Sequence, residues 1–127
     1  MVLQVQLSEK IEIDEMELGV LLGNLLDNAI EAAEKITDSP MPSCIHVQIR
    51  ALMDRIWICV DNPTVEKSGP VSNLSSTKQD KEHHGYGLQS VQSIAEKYDG
   101  SLSITWDNYC FTIEIGLSNL RQNVFAS

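Results

Sequence analysis

At 127 residues, 43% of them hydrophobic, the chain is long enough for one domain with a real core and too short for two. Its formal net charge of -9 and pI near 4.6 create an average field that repels phosphate backbones and anionic membranes, so neither nucleic-acid binding nor direct membrane insertion is expected. Any anionic ligand must be held by local geometry. Cys44, Cys59 and Cys110 are an odd number, sit in strand-like apolar runs and lack paired metal-type spacing, which fits reduced, buried thiols. No apolar run approaches the ~18 residues of a membrane span, and Met1 to Leu7 alternates instead of resembling a signal peptide. A cytoplasmic domain is expected.

Val2 to Leu7 reads as a strand with Val5 and Leu7 on one face. Asp14 and Glu17 have the spacing of an Asp-led capping box, and the segment through Lys35 lacks the punctuation that would end a helix. Gly19 and Gly23, one turn apart within it, suit close packing or ligand approach. After the breaker-rich Ser39-Pro40-Met41-Pro42-Ser43, Ile45, Val47, Ile49 and Ala51 alternate with polar residues as a half-buried strand. Asp54-Arg55 closes a hairpin into a second strand. There Ile56, Ile58 and Val60 share one face and Arg55, Trp57 and Cys59 the other, as far as Asn62-Pro63.

Pro63 to His84 shows no sustained apolar periodicity, and a connection of about twenty residues without structure is unusual in a compact domain unless it is a functional lid or disordered. Gly85-Tyr86-Gly87-Leu88 then opens an amphipathic helix with Leu88, Val91, Ile94 and Ala95 on its apolar face and Gly100 as its stop. Two last strands use Leu102, Ile104 and Trp106, then Phe111, Ile113, Ile115 and Leu117, around an Asp107-Asn108 turn. Ser118 to Ser127 read as a flexible tail. The expected organisation is one domain over residues 1–117, with a lid at 63–84, and a tail at 118–127.

Two constellations carry chemistry. In Asn24-Leu25-Leu26-Asp27-Asn28-Ala29-Ile30-Glu31, Asn24, Asp27, Asn28 and Glu31 fall within about one quarter of the helix circumference, opposite Leu18, Leu22, Leu25, Leu26, Ala29 and Ala33. A solvated face would have this periodicity. Its asparagines, however, are indifferent helix formers and poor choices for plain surface, and carboxamide oxygens are hard, neutral ligands suited to a partly hydrated Mg²⁺ that also touches phosphates. The second constellation is His84-Gly85-Tyr86-Gly87-Leu88. Its glycines let the backbone approach a ligand, and the following helix N-terminus favours phosphate oxygens, although a Gly-x-Gly turn can be purely structural. Between the two, Lys78 could swing onto terminal phosphates or remain a solvated loop lysine. His83-His84 has no further ligand at zinc spacing.

In order and spacing these elements resemble the ATP-binding fold shared by histidine kinases, gyrase-type topoisomerases, MutL-type repair proteins and the heat-shock chaperone of that superfamily. Asn24-Leu25-Leu26-Asp27-Asn28-Ala29 is similar to the family's N box, and Gly85-Tyr86-Gly87-Leu88 resembles its second glycine box. The resemblance implies ATP and Mg²⁺ as ligands. It implies Asn28 as the metal ligand, with Asn24 and Asp27 beside it, and His84 to Leu88 and Lys78 around the phosphates. Hydrolysing branches usually place a glutamate at the position of Asn24 to activate water, and an amide is not a competent general base near neutral pH, so phosphoryl transfer to a protein is favoured. The first glycine box departs from the pattern. The usual Asp-x-Gly-x-Gly is replaced by Asp61-Asn62-Pro63-Thr64-Val65, with Asn62 at the adenine-contacting position; by analogy Thr112 is a further adenine-side residue.

The Asn-for-Asp change, Ser-Thr-Lys before His-Gly-Tyr-Gly-Leu, and the Ala-Glu-Lys-Tyr-Asp-Gly helix end look like peptide-sensing receptor kinases of the Agr quorum-sensing type. Such kinases carry a membrane sensor and a dimerisation domain bearing the acceptor histidine, and they pass phosphate on to a response regulator. None of the three histidines lies in a helix suited to an acceptor. The expected fold is α+β: a two-layer sandwich with a mixed, mainly antiparallel sheet of about five strands, two long helices on one face, and ATP between them under the lid. Two alternatives are a degenerate interaction module without nucleotide and an anti-sigma-type serine kinase.

Overall fold

The computed structural model describes residues 1–34, 44–64, 72–74 and 88–120. In chain order the elements are β1 (Val2–Leu7), α1 (Glu15–Glu34), β2 (His46–Leu52), β3 (Arg55–Pro63), β4 (Ser72–Leu74), α2 (Gln89–Lys97), β5 (Ser101–Asp107) and β6 (Cys110–Ser118). The strands form one sheet in the order β1-β2-β3-β6-β5-β4. β1 runs parallel to β2, as a strand joined through a helix can, and the remaining neighbours are antiparallel. This is the mixed, mainly antiparallel sheet expected, with one more strand. β4 falls inside the segment read as a structureless lid; three residues are too short for alternation to register, and the pairing comes from the edge of β5.

The alternation along β3 puts Ile56, Ile58 and Val60 on one face, where they join Val47 and Ala51 of β2, Leu102 and Ile104 of β5, and Ile113, Ile115 and Leu117 of β6. Leu21, Leu25 and Ala29 of α1 and Leu88, Val91, Ile94 and Ala95 cover that face and complete a single core. β1 forms as its pattern predicts, yet Val5 and Leu7 remain half exposed at the sheet edge. Among the described residues no helix is long and apolar enough to cross a membrane.

Several local readings are corrected. Asp14 caps α1, with the Glu17 N–H donating to Asp14 Oδ2 at 3.1 Å, but the reciprocal half of the capping box is missing. Tyr98 Oη, not the Glu17 carboxylate, accepts from the Asp14 N–H at 3.2 Å. Leu52 pairs with Arg55, so the first hairpin turns on Met53-Asp54, with Met53 at φ 58°. The last hairpin turns on Asn108 and Tyr109, both left-handed at φ 53° and 61°, the two-residue geometry that matches strand twist. At the end of α2 the left-handed residue is Asp99, φ 53°. Gly100 is needed for space instead, because a Cβ there would lie 2.0 Å from Gly116 O.

The fold also passes the boundary expected at Leu117. Ser118 closes β6, and Asn119 is buried. Its Oδ1 accepts from the Glu12 N–H at 2.7 Å and its Nδ2 donates to Lys10 O at 2.9 Å. A polar residue with no periodic pattern around it gave no sign of this; its partners lie over a hundred positions away in sequence.

Candidate functional site

The helix-covered face ends, at the far end of β3, in a small polar and aromatic cluster. Asn62 continues the inward alternation of Ile56, Ile58 and Val60 and is 3% exposed. Its Nδ2 donates to Pro63 O at 3.0 Å. A carbonyl can only accept, so the amide nitrogen must lie on that side, and Asn62 Oδ1 receives no hydrogen bond from any described residue. Asn62 pairs across the sheet with Phe111, and Phe111 with Trp106. The two rings meet edge to face at 5.4 Å. Trp106 Nε1 donates to Thr64 Oγ1 at 3.1 Å, and the Thr64 N–H to Tyr109 O at 2.9 Å.

Asp61 faces the other side of the sheet, where its carboxylate lies 3.3 Å from His46 Nδ1. The strand count therefore places Asn62, and not Asp61, on the helix side. The same count overturns the analogy made for Thr112. It pairs with Asp61, so it points away from the helices, and its hydroxyl sits 3.7 Å from Cys110 Sγ.

On α1, Asn24 and Asn28 are partly buried while Asp27 and Glu31 are exposed. The polar quadrant is thus divided, with the two asparagines on the flank nearer the core. Among the described residues neither asparagine makes a side-chain hydrogen bond. Leu21, omitted from the apolar stripe read in the sequence, is fully buried, and Leu18, Leu22, Leu26 and Ala33 pack partly against the core.

Leu88 plays two parts. Its side chain is 1% exposed in the core, while its backbone is the N-cap of α2, without a side-chain cap and without an acidic residue in the first turn. That leaves a helix N-terminus electrostatically suited to an anion. Lys78, His84, Gly85, Tyr86 and Gly87 lie outside the described residues. Two shallow depressions, one lined by Gln4, Gln6, Gln48 and Arg50 and one by Arg55, Trp57, Ser103 and Glu114, lie on the opposite, uncovered face.

One cluster escaped sequence reasoning. Tyr98, 2% exposed, donates to a Glu17 carboxylate oxygen, and Lys97 Nζ reaches the other oxygen at 2.7 Å. Hydrogen bonds from Lys97 and then Tyr98 hold the Glu17 carboxyl below its usual range. Glu17 raises Lys97 in return, and burial followed by the Glu17 bond raises the Tyr98 phenol. A signal was available: Tyr98 continues the apolar spacing of Val91 and Ile94, and a buried tyrosine needs a partner for its hydroxyl. Elsewhere the three cysteines are free, and burial, with smaller contributions from Glu114, Asp61 and Cys110, raises Cys59 to about 11.

Solved structures share this fold. The catalytic domain of the histidine kinase ThkA superposes with a TM-score of 0.68 at 16% identity, over 95% of this chain and 81% of its own. The histidine kinase AdeS of Acinetobacter baumannii gives a TM-score of 0.59 at 16% identity, over 93% of this chain and 54% of that one. The blue-light activated histidine kinase EL346 of Erythrobacter litoralis gives 0.58 at 14% identity, over 93% and 35%. No curated protein matches the sequence. The family model described as the GHKL domain matches residues 13–118, from the residue before the Asp14 cap to the last residue of β6, and this chain belongs to that family.

Proposed function

We propose that this domain binds Mg-ATP and acts as the catalytic domain of a two-component sensor histidine kinase, of the Agr peptide-sensing type. The phosphoryl group goes to a histidine on a dimerisation domain and then to a response regulator. The observation that carries the reading is Asn62 Oδ1. A buried amide oxygen without a donor costs stability, and the exocyclic amine of adenine is a donor of the right kind. The rest of the site fits the same ligand. Asn24 and Asn28 offer neutral oxygens for Mg²⁺, and the uncapped start of α2, continuing from Gly85-Tyr86-Gly87, offers amides to phosphates. Lys78 and His84 belong to the same phosphate-side group.

When bound, Mg²⁺ neutralises charge on the phosphates; the residues of this chain position and orient. Asn24, an amide, orients without activating water, which favours transfer over hydrolysis. His46 is an unsuitable acceptor because it sits on the uncovered face beside Asp61. The cytoplasmic side of a membrane receptor is the compartment this role requires.

Calorimetry with Mg-ATP tests the reading: saturable binding at millimolar nucleotide or below is expected, and its absence from folded protein refutes it. Asn28→Ala should weaken Mg-dependent binding much more than binding in chelator; equal losses would make Asn28 structural. One observation favours a second reading, a GHKL module that has given up nucleotide. Thr64, at the first glycine position counted from Asn62, is buried against Trp106 and narrows the adenine end. The same titration separates the two.

A further inference from the structure

The clasp between Glu17, Lys97 and Tyr98 joins the beginning of α1 to the end of α2. From it α1 runs forward to Asn24 and Asn28, and α2 runs back to its N-cap at Leu88. At 100° per residue Asn24 and Asn28 lie ~20° to either side of Glu17 on the helical wheel, so the residue held by α2 shares their stripe. The axial distances agree as well. At 1.5 Å per residue, Asn24 is ~10 Å and Asn28 ~16 Å beyond Glu17, while the first residue of α2 is ~12 Å back from Lys97. Measured along each helix from the clasp, the asparagines and the start of α2 thus lie at similar distances.

The clasp is anchored on every side. The Tyr98 ring is buried, its Oη also accepts from the Asp14 N–H at the cap of α1, and its carbonyl accepts from the Ser118 N–H of β6 at 2.9 Å. Rotating α1 about its axis would break the bonds to Glu17 and to the Asp14 N–H together, while the Ser118 bond keeps Tyr98 in place.

We propose that Tyr98 is a positioning residue for the metal and phosphate end of the site, fixing through Glu17 the rotation of α1 that turns Asn24 and Asn28 toward the start of α2. The inference rests on the nucleotide reading above. It separates the two ends of the site: Asn62 is held by β3 and does not depend on the clasp.

The test is calorimetry of wild type, Tyr98→Phe, Glu17→Gln and Asn28→Ala, each shown to be folded by circular dichroism, with ATP in Mg²⁺ and with ATP in chelator. Tyr98→Phe should weaken Mg-ATP binding about fivefold, by misplacing ligands that must converge, and metal-free binding less than about twofold. Glu17→Gln should act in the same direction. In an Asn28→Ala background, Tyr98→Phe should have less than about half its effect on Mg-ATP affinity, because coupled residues are not additive. Wild-type Mg-ATP affinity in folded Tyr98→Phe overturns the inference, as do equal losses with and without Mg²⁺, or failure of both clasp variants to fold. If folded wild type does not bind Mg-ATP at all, the nucleotide reading falls and takes this inference with it.

Discussion

Replacing Asn62 by leucine separates a ligand-binding residue from a structural one, because the two roles predict opposite signs. Leucine has the branching of asparagine with bulkier methyls in place of the oxygen and nitrogen, so it enters the same site, 3% exposed in wild type, at a modest overpacking cost. The substitution removes the Nδ2 bond to Pro63 O, worth about 0.5–1.5 kcal/mol net, and water can replace it at the partly exposed Pro63. It also removes an amide oxygen that no described residue satisfies, and such a desolvated group costs about 1–3 kcal/mol. The unliganded variant should therefore be at least as stable as wild type, by up to about 1 kcal/mol in urea denaturation. Wild type should gain further stability as Mg-ATP is added, by mass action on the folded state, and the variant should not. A site kept for binding at the expense of stability behaves this way. Destabilisation of the variant by more than about 2 kcal/mol, or an undiminished response to Mg-ATP, would refute the reasoning.

Gly100→Ala should cost about 3 kcal/mol or more in the same denaturation assay, since the new methyl would meet backbone at 2.0 Å; an unchanged midpoint would mean that the β5 and β6 ends separate easily. Asn119→Ala should cost about 2 kcal/mol by stranding the Glu12 N–H and the Lys10 carbonyl, whereas a residue in a flexible tail would cost nothing. The clasp predicts a pH dependence. Glu17 is held below the ordinary carboxylate range, so its contribution is present at neutral pH and lost as pH falls through the depressed value, because the unfolded state then binds the proton first. Glu17→Gln should flatten this acid limb of the stability curve, and an unaltered limb would locate the effect in other carboxylates.

The fold was legible where burial enforces a period. β2, β3, β5 and β6 each bury one face, and their alternation alone marks Val47, Ile58, Ile104 and Ile115 as core. Leu88, Val91, Ile94 and Ala95 were legible as one buried face because a helix needs few residues to define its faces. Turns were misplaced by one residue at Met53-Asp54 and at Asn108-Tyr109, since left-handed backbone at Met53 and Tyr109 is not what those residue types announce. The partners of tertiary polar contacts were not legible: the spacing of Tyr98 announces a buried hydroxyl in need of a partner, but nothing local names Glu17, and nothing near Asn119 or Glu12 announces their pairing. Gly100 was noticed for the wrong reason, as a helix stop and not as the place where two backbones approach.

The two ends of the candidate site relate differently to the family pattern. On the nucleotide reading proposed above, the phosphate end keeps the pattern's asparagines, Asn24 and Asn28, and its Gly85-Tyr86-Gly87-Leu88 sequence. The adenine end has exchanged a carboxylate and a glycine for Asn62 and Thr64, yet the strand still delivers the polar residue to the buried face, beside Phe111 and Trp106. An amide there accepts one hydrogen bond without the charge that strengthens a carboxylate's, and Thr64 Oγ1 is engaged by Trp106 Nε1. On the same reading, adenine recognition would depend on one neutral acceptor and aromatic contact. Nucleotide affinity should accordingly fall more steeply on loss of magnesium than in relatives that keep the aspartate, because a larger share of the binding energy comes from the phosphate end.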